Sequence, residues 1–112
     1  MSISECQCQY LKVNLAKLAK HSKRQGTYEL SENINGKPSW KSETDAIWYS
    51  PKYKDWNIGT LSNIGTDDVE IYSVLGTVYE CPLQVPKDEW NYFIGHHNAW
   101  VTTNSSDIIL RC

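Results

Sequence analysis

Four cysteines at 6, 8, 81 and 112, the adjacent pair His96 and His97, the acidic pairs Asp67-Asp68 and Asp88-Glu89, and the tripeptide N104-S-S106 are the residues whose types invite chemistry in this 112-residue chain. A cysteine with His96 or His97 as base would need a free, accessible thiolate. The even count of cysteines instead favours disulfides, which remove that nucleophile. A Cys6–Cys8 bridge would close a strained ring, so Cys6 and Cys8 are expected to reach separately to Cys81 and Cys112, in one of two connectivities. That arrangement implies an oxidising compartment. Adjacent histidines lack the i, i+4 spacing of a helical zinc site, and two neighbouring carboxylates fall short of the oxygen set calcium needs. Asp88 and Glu89 sit side by side, whereas glycosidase chemistry depends on carboxyl groups facing each other across a site. No serine nucleophile motif or phosphate-binding glycine loop is present. The expectation is a chain without catalytic residues, metal or cofactor, with Asn104 as an N-glycosylation acceptor in a secretory setting.

The aromatic residues invite a different chemistry. Phe occurs once, while Trp occurs five times and Tyr seven times, so most rings carry an N–H or O–H that needs a partner or a route to water. Exposed rings can stack on the apolar faces of sugars while neighbouring amides bind the hydroxyls, the usual division of labour in a recognition groove. Trp48, Tyr53, Trp56, Asn57, Trp90, Asn98 and Trp100 are the candidate ligand-binding residues on that basis. The ordinary alternative is that the rings pack the two sides of a small sheet. One or two exposed rings would still make a binding patch.

Such residues have to be held by short strands. Y10-L-K-V-N-L15 alternates with period two, although Leu11, Leu15, Leu18 and Ala19 also share a helical face, so a strand and a short N-terminal helix compete there. Residues 16–25 form a flexible or briefly helical basic segment in the strand reading. T27-Y-E-L30, D45-A-I-W-Y-S50, D55-W-N-I-G-T60, V69-E-I-Y-S-V74, D88-E-W-N-Y-F-I-G95 and D107-I-I-L-R-C112 read as strands, with turns at N35-G-K-P38 and P51-K-Y-K54. Ile47 and Tyr49 fall on one face and Trp48 on the other, while Trp56 and Ile58 share a face. The expected fold is all-β: one aromatic-rich domain over 1–112, about six to eight antiparallel strands by strand spacing, forming a compact sheet or a partly open barrel or sandwich, stabilised by disulfides.

Eleven basic and thirteen acidic side chains leave a net charge of −2, too weak a field for nucleic acid or an anionic membrane. The densest positive stretch, K17-L-A-K-H-S-K-R24, reads first as solvated surface and second as a contact for an acidic protein or glycan. Apolar runs are too short to insert in a membrane, and Met1 is followed by polar residues rather than a signal core.

G26-T-Y28, N35-G-K-P38, I47-W-Y49, W56-N-I-G59, C81-P82 and D88-E-W90 together resemble a small extracellular aromatic-rich β module that recurs in invertebrate and protist multidomain proteins. The resemblance covers most of residues 6–112 and implies a secreted or ectodomain accessory module. The functional expectation is therefore a noncatalytic, extracellular, lectin-like recognition or adhesion module binding carbohydrate or protein. A structural interaction domain of a larger secreted chain is the alternative, and a small hydrolase a more remote one. Nothing in the sequence specifies an oligomeric state.

Overall fold

A computed structural model describes residues 8–15, 23–66, 71–73, 79–86, 89–93, 100–102 and 108–112, with the backbone alone at 93 and 100–102. Among these, nine strands form one antiparallel sheet: β1 (Tyr10–Asn14), β2 (Gly26–Leu30), β3 (Trp40–Lys41), β4 (Asp45–Ser50), β5 (Asp55–Thr60), β6 (Ile71–Ser73), β7 (Trp90–Phe93), β8 (Trp100–Thr102) and β9 (Ile109–Arg111). The first eight follow one another as a meander, and β9 returns to pair with β1, giving the order β8-β7-β6-β5-β4-β3-β2-β1-β9. The N-terminal segment is thus a strand, and the competing helix is not formed at Tyr10–Asn14. Two strands escape the sequence reading. β3 is two residues long, too short for any period, and β8 follows a histidine-rich stretch with no alternating pattern of its own.

The alternation of side chains explains why the sheet curls into a half-barrel. Leu30, Trp40, Ile47, Ile58, Ile71 and Tyr92 stand opposite one another on successive strands, forming one rung of the inner face. They join Leu11, Val13, Leu15, Tyr28, Tyr49, Trp56 and Trp90 in a single core. Large side chains crowded on one face, together with the native strand twist, favour a concave inner surface. Segment 79–86 fills that concavity: Cys81 and Val85 are buried in the core, and Leu83 packs against it. A 3-10 turn within it, Pro82–Gln84, also touches β9.

Three indoles fasten non-strand segments to this frame. The Nε1–H of Trp40 donates to the Cys8 carbonyl at 2.8 Å, that of Trp56 to the Tyr79 carbonyl at 2.9 Å, and that of Trp48 to the Thr66 carbonyl at 3.1 Å. Trp40 and Trp56 also contact each other at a 6.2 Å ring separation, and Tyr49 meets Trp56 edge-on at 5.7 Å. These are tilted geometries of the kind aromatic quadrupoles prefer.

Turn chemistry follows the sequence closely. Ile34 and Lys37 bracket a two-residue turn in which Asn35 (φ 56°) and Gly36 (φ 88°) both take the left-handed conformation that a type I′ hairpin demands. Asn35 then donates from Nδ2 to the Tyr49 carbonyl at 2.8 Å, tying this turn to β4. Cys8 is disulfide-bonded to Cys112, one of the two connectivities compatible with the sequence, and Cys81 is disulfide-bonded as well. The Cys8–Cys112 link joins the region preceding β1 to the residue following β9, alongside the pairing of those two strands.

Candidate functional site

The aromatic residues nominated by sequence are mostly interior. Trp56 and Trp90 point into the core from the inner face, at 0% and 1% exposure. Trp48 occupies the outer face of β4, yet it too is fully buried, because the 61–66 turn region bonds to its indole. Asn57 pairs opposite Trp48 on β5 and is buried with it, its Nδ2 without a hydrogen-bond partner among the described residues. None of these four offers a surface to solvent, which corrects the expectation of a tryptophan platform at 48, 56 and 90. The physical reason is area: burying an indole removes a large apolar surface from water, and the N–H groups of Trp48 and Trp56 each find a carbonyl that offsets the cost of burial. Asn98 and Asn104 lie outside the described residues, as do His96, His97, Cys6, Asp67, Asp68 and Asp88. Trp100 is described only as a backbone position paired with Phe93.

Two large rings do reach solvent, Tyr53 at 41% and Tyr10 at 52% exposure. Tyr53 sits in the Pro51–Lys54 turn, and the ammonium of Lys52 stands 5.2 Å above its ring, occupying one stacking face. Tyr10, which is not among the ligand-binding residues nominated from sequence, has a different setting. Strand alternation that sends Leu11 and Val13 inward leaves Tyr10, Lys12 and Asn14 exposed on the outer face of β1. Register then places Tyr10 opposite Glu29 on β2, and Glu29 opposite Lys41 on β3. These three line an open groove of about 460 Å³ with Thr27, Ser42 and Glu43. Lys41 is held at 3.7 Å from a Glu32 carboxylate oxygen, which orients its ammonium at the groove wall. The groove is therefore lined by a ring face, two carboxylates, one tethered cation and the three hydroxyl residues Thr27, Ser31 and Ser42. The signal that could have found it is the polar half of the period-two pattern, Tyr10, Lys12 and Asn14, read as a surface rather than as the back of a core strand.

A second polar cluster is internal. Arg24 and Asp45 are 3% and 2% exposed, with Nε and Oδ1 3.3 Å apart, an ion pair too poorly aligned to count as a hydrogen bond. The Thr44 hydroxyl donates to Asp45 Oδ2, and the Tyr28 hydroxyl donates to the Arg24 carbonyl. Burial pushes the Tyr28 phenol well above its usual value, with the Asp45 carboxylate adding to the shift. Arg24 thus leaves the solvated basic segment expected at 16–25 and serves the fold. Residues 16–22 of that segment lie outside the described residues.

Among the described residues, no group of three or more His, Cys, Asp or Glu is arranged to hold a metal ion, and no helix is long and apolar enough to cross a membrane. Glu89 accepts a hydrogen bond from the Tyr79 hydroxyl at 2.6 Å, which ties the residue preceding β7 to segment 79–86. No protein-family model matches the chain, and it has no detectable similarity to a curated protein or a solved structure.

Proposed function

We propose that this domain is a noncatalytic extracellular recognition module whose outer β1–β3 face binds carbohydrate, with the Tyr10 ring as the stacking platform. The observation that carries the reading is the position of Tyr10: the most exposed large ring of the described residues, set in a groove with Thr27, Glu29, Lys41, Ser42 and Glu43. Sugar recognition combines one apolar ring face with several hydrogen-bonding groups that fix the hydroxyls, and both kinds of group line this groove. The disulfides support placement in an oxidising compartment, and an extracellular setting would also make Asn104 available as a glycan acceptor. In this reading the domain serves adhesion or targeting within a secreted chain.

Screening the purified domain on a glycan array, followed by titration of the best ligand against Tyr10→Ala and Tyr53→Ala, tests the proposal. Loss of a stacking ring is expected to weaken binding about tenfold or more in Tyr10→Ala. Tyr53→Ala is expected to bind as the parent does. An array with no ligand, or a ligand indifferent to Tyr10→Ala, overturns the assignment.

A further inference from the structure

The groove around Tyr10 continues along the outer face toward β9. Thr27 lines it and also lines a neighbouring open groove of about 570 Å³, together with Lys12, Asn14, Gln25 and Arg111. Register places Lys12 of β1 between Arg111 of β9 and Thr27 of β2. Lys12 and Arg111 are thus directly opposite each other on the same face, and both are exposed. Like charges so placed in an antiparallel ladder oppose strand pairing. No acidic group among the described residues forms an ion pair with either, whereas Arg24, Lys37 and Lys41 each have a carboxylate partner. An anion between Lys12 and Arg111 would relieve that repulsion, and the Arg guanidinium suits bidentate contact with a sulfate or carboxylate.

The two grooves differ in charge. Glu29 and Glu43 stand at the Tyr10 end, and the uncompensated cations stand at the β9 end. Tyr10 and Lys12 are two residues apart on one strand face, about 7 Å. That separation is about one sugar residue. A polyanion lying along the whole face would meet the carboxylates at the Tyr10 end, which disfavours nucleic acid or a uniformly sulfated chain.

Resting on the carbohydrate reading above, we infer that the ligand is an oligosaccharide bearing a single anionic group, with a neutral sugar on Tyr10 and its sulfate or carboxylate held between Lys12 and Arg111. Both anions share the chemistry the pair recognises, and the experiment separates them. Calorimetric titrations with lactose, 3′-sulfolactose and 3′-sialyllactose are compared for the parent, Lys12→Gln, Arg111→Gln, Lys12→Arg and Tyr10→Ala, with heparin as a polyanion control. The inference predicts that one or both acidic sugars bind about tenfold more tightly than lactose. That advantage disappears in Lys12→Gln and Arg111→Gln, is retained in Lys12→Arg, and diminishes as salt rises from about 0.05 to 0.5 M. Whichever acidic sugar shows the larger advantage identifies the group as sulfate or carboxylate. Equal binding of acidic and neutral sugars, with sensitivity to Tyr10→Ala, overturns the inference and leaves the carbohydrate reading standing. Heparin binding tighter than either acidic trisaccharide or disaccharide also overturns it, in favour of a general polyanion surface. If none of the three sugars binds and the array is empty, both readings fall together.

Discussion

Burying Arg24 against Asp45 makes two ordinary surface residues depend on each other. Removing one partner breaks a buried ion pair, a loss of about 3–5 kcal/mol, whereas replacing both with apolar side chains costs less. Asp45→Asn is therefore expected to lower stability in urea unfolding by that order, and Arg24→Met with Asp45→Leu to cost less than the sum of the single changes. Strict additivity would show that the pair is not coupled. Tyr28, bonded to the Arg24 carbonyl, and Tyr72, half-buried near Asp55, both have phenols shifted upward chiefly by burial, with the neighbouring carboxylate second. Below about pH 10 these phenols are neutral in folded and unfolded chains alike, and their contribution to stability is complete. Above it the unfolded chain ionises first, so stability falls as pH rises toward the folded values. Absorbance titration of tyrosinate should show the native protein lagging the denatured one, and Tyr28→Phe should shrink the lag. A lag unaffected by Tyr28→Phe would contradict the buried environment assigned to it. None of this was legible in the sequence, where K17-L-A-K-H-S-K-R24 reads as one solvated run. Composition cannot say that the last of its cations turns inward to meet an aspartate some twenty residues away.

Elements were far more legible than contacts. β4 and β5 match the expected bounds residue for residue because each is framed by turn formers, and Asn35-Gly36 fixes its hairpin by backbone conformation alone. The faces of Ile47, Tyr49, Trp56 and Ile58 also follow from alternation. What alternation could not supply is the cover on the outer side of β4, since every residue of Asp45–Ser50 is buried. A strand buried on both faces carries aromatic residues on both, and sequence alone cannot distinguish that from a strand with an exposed aromatic face. The indole bonds make this cover specific. Trp56→Phe keeps a ring in the core but strips the donor from the Tyr79 carbonyl, at a cost of about 1–3 kcal/mol. Amide exchange is expected to accelerate in residues 79–86 more than in β4. Uniform acceleration across the sheet would mean that the indole acts only as packing volume.

At the scale of the whole molecule, the nine strands among the described residues impose a constraint of parity. Every neighbouring pair is antiparallel, so β8 and β9, eight steps apart in the order, run in the same direction. An all-antiparallel barrel cannot close across that seam, and the sheet stays a half-barrel with two short edges. The Cys8–Cys112 bridge spans 104 residues of sequence, and the chain-entropy argument gives such a link about 4–5 kcal/mol. It secures β9 beside β1 despite the Lys12–Arg111 repulsion on their outer face. The fold class and the role of sulfur were thus readable from alternation and cysteine placement. The candidate site was not, because the sequence draws attention to tryptophans that the core consumes, while the groove is assembled from scattered polar positions on three strands. Ligand is expected to sit on that outer face. A ¹⁵N–¹H shift-perturbation titration with the best glycan ligand tests it most directly: saturable shifts should cluster at Tyr10, Lys12, Thr27, Glu29 and Lys41. Shifts confined to the Tyr53 turn or to residues 94–102, with Tyr10 and Thr27 unmoved, would contradict it.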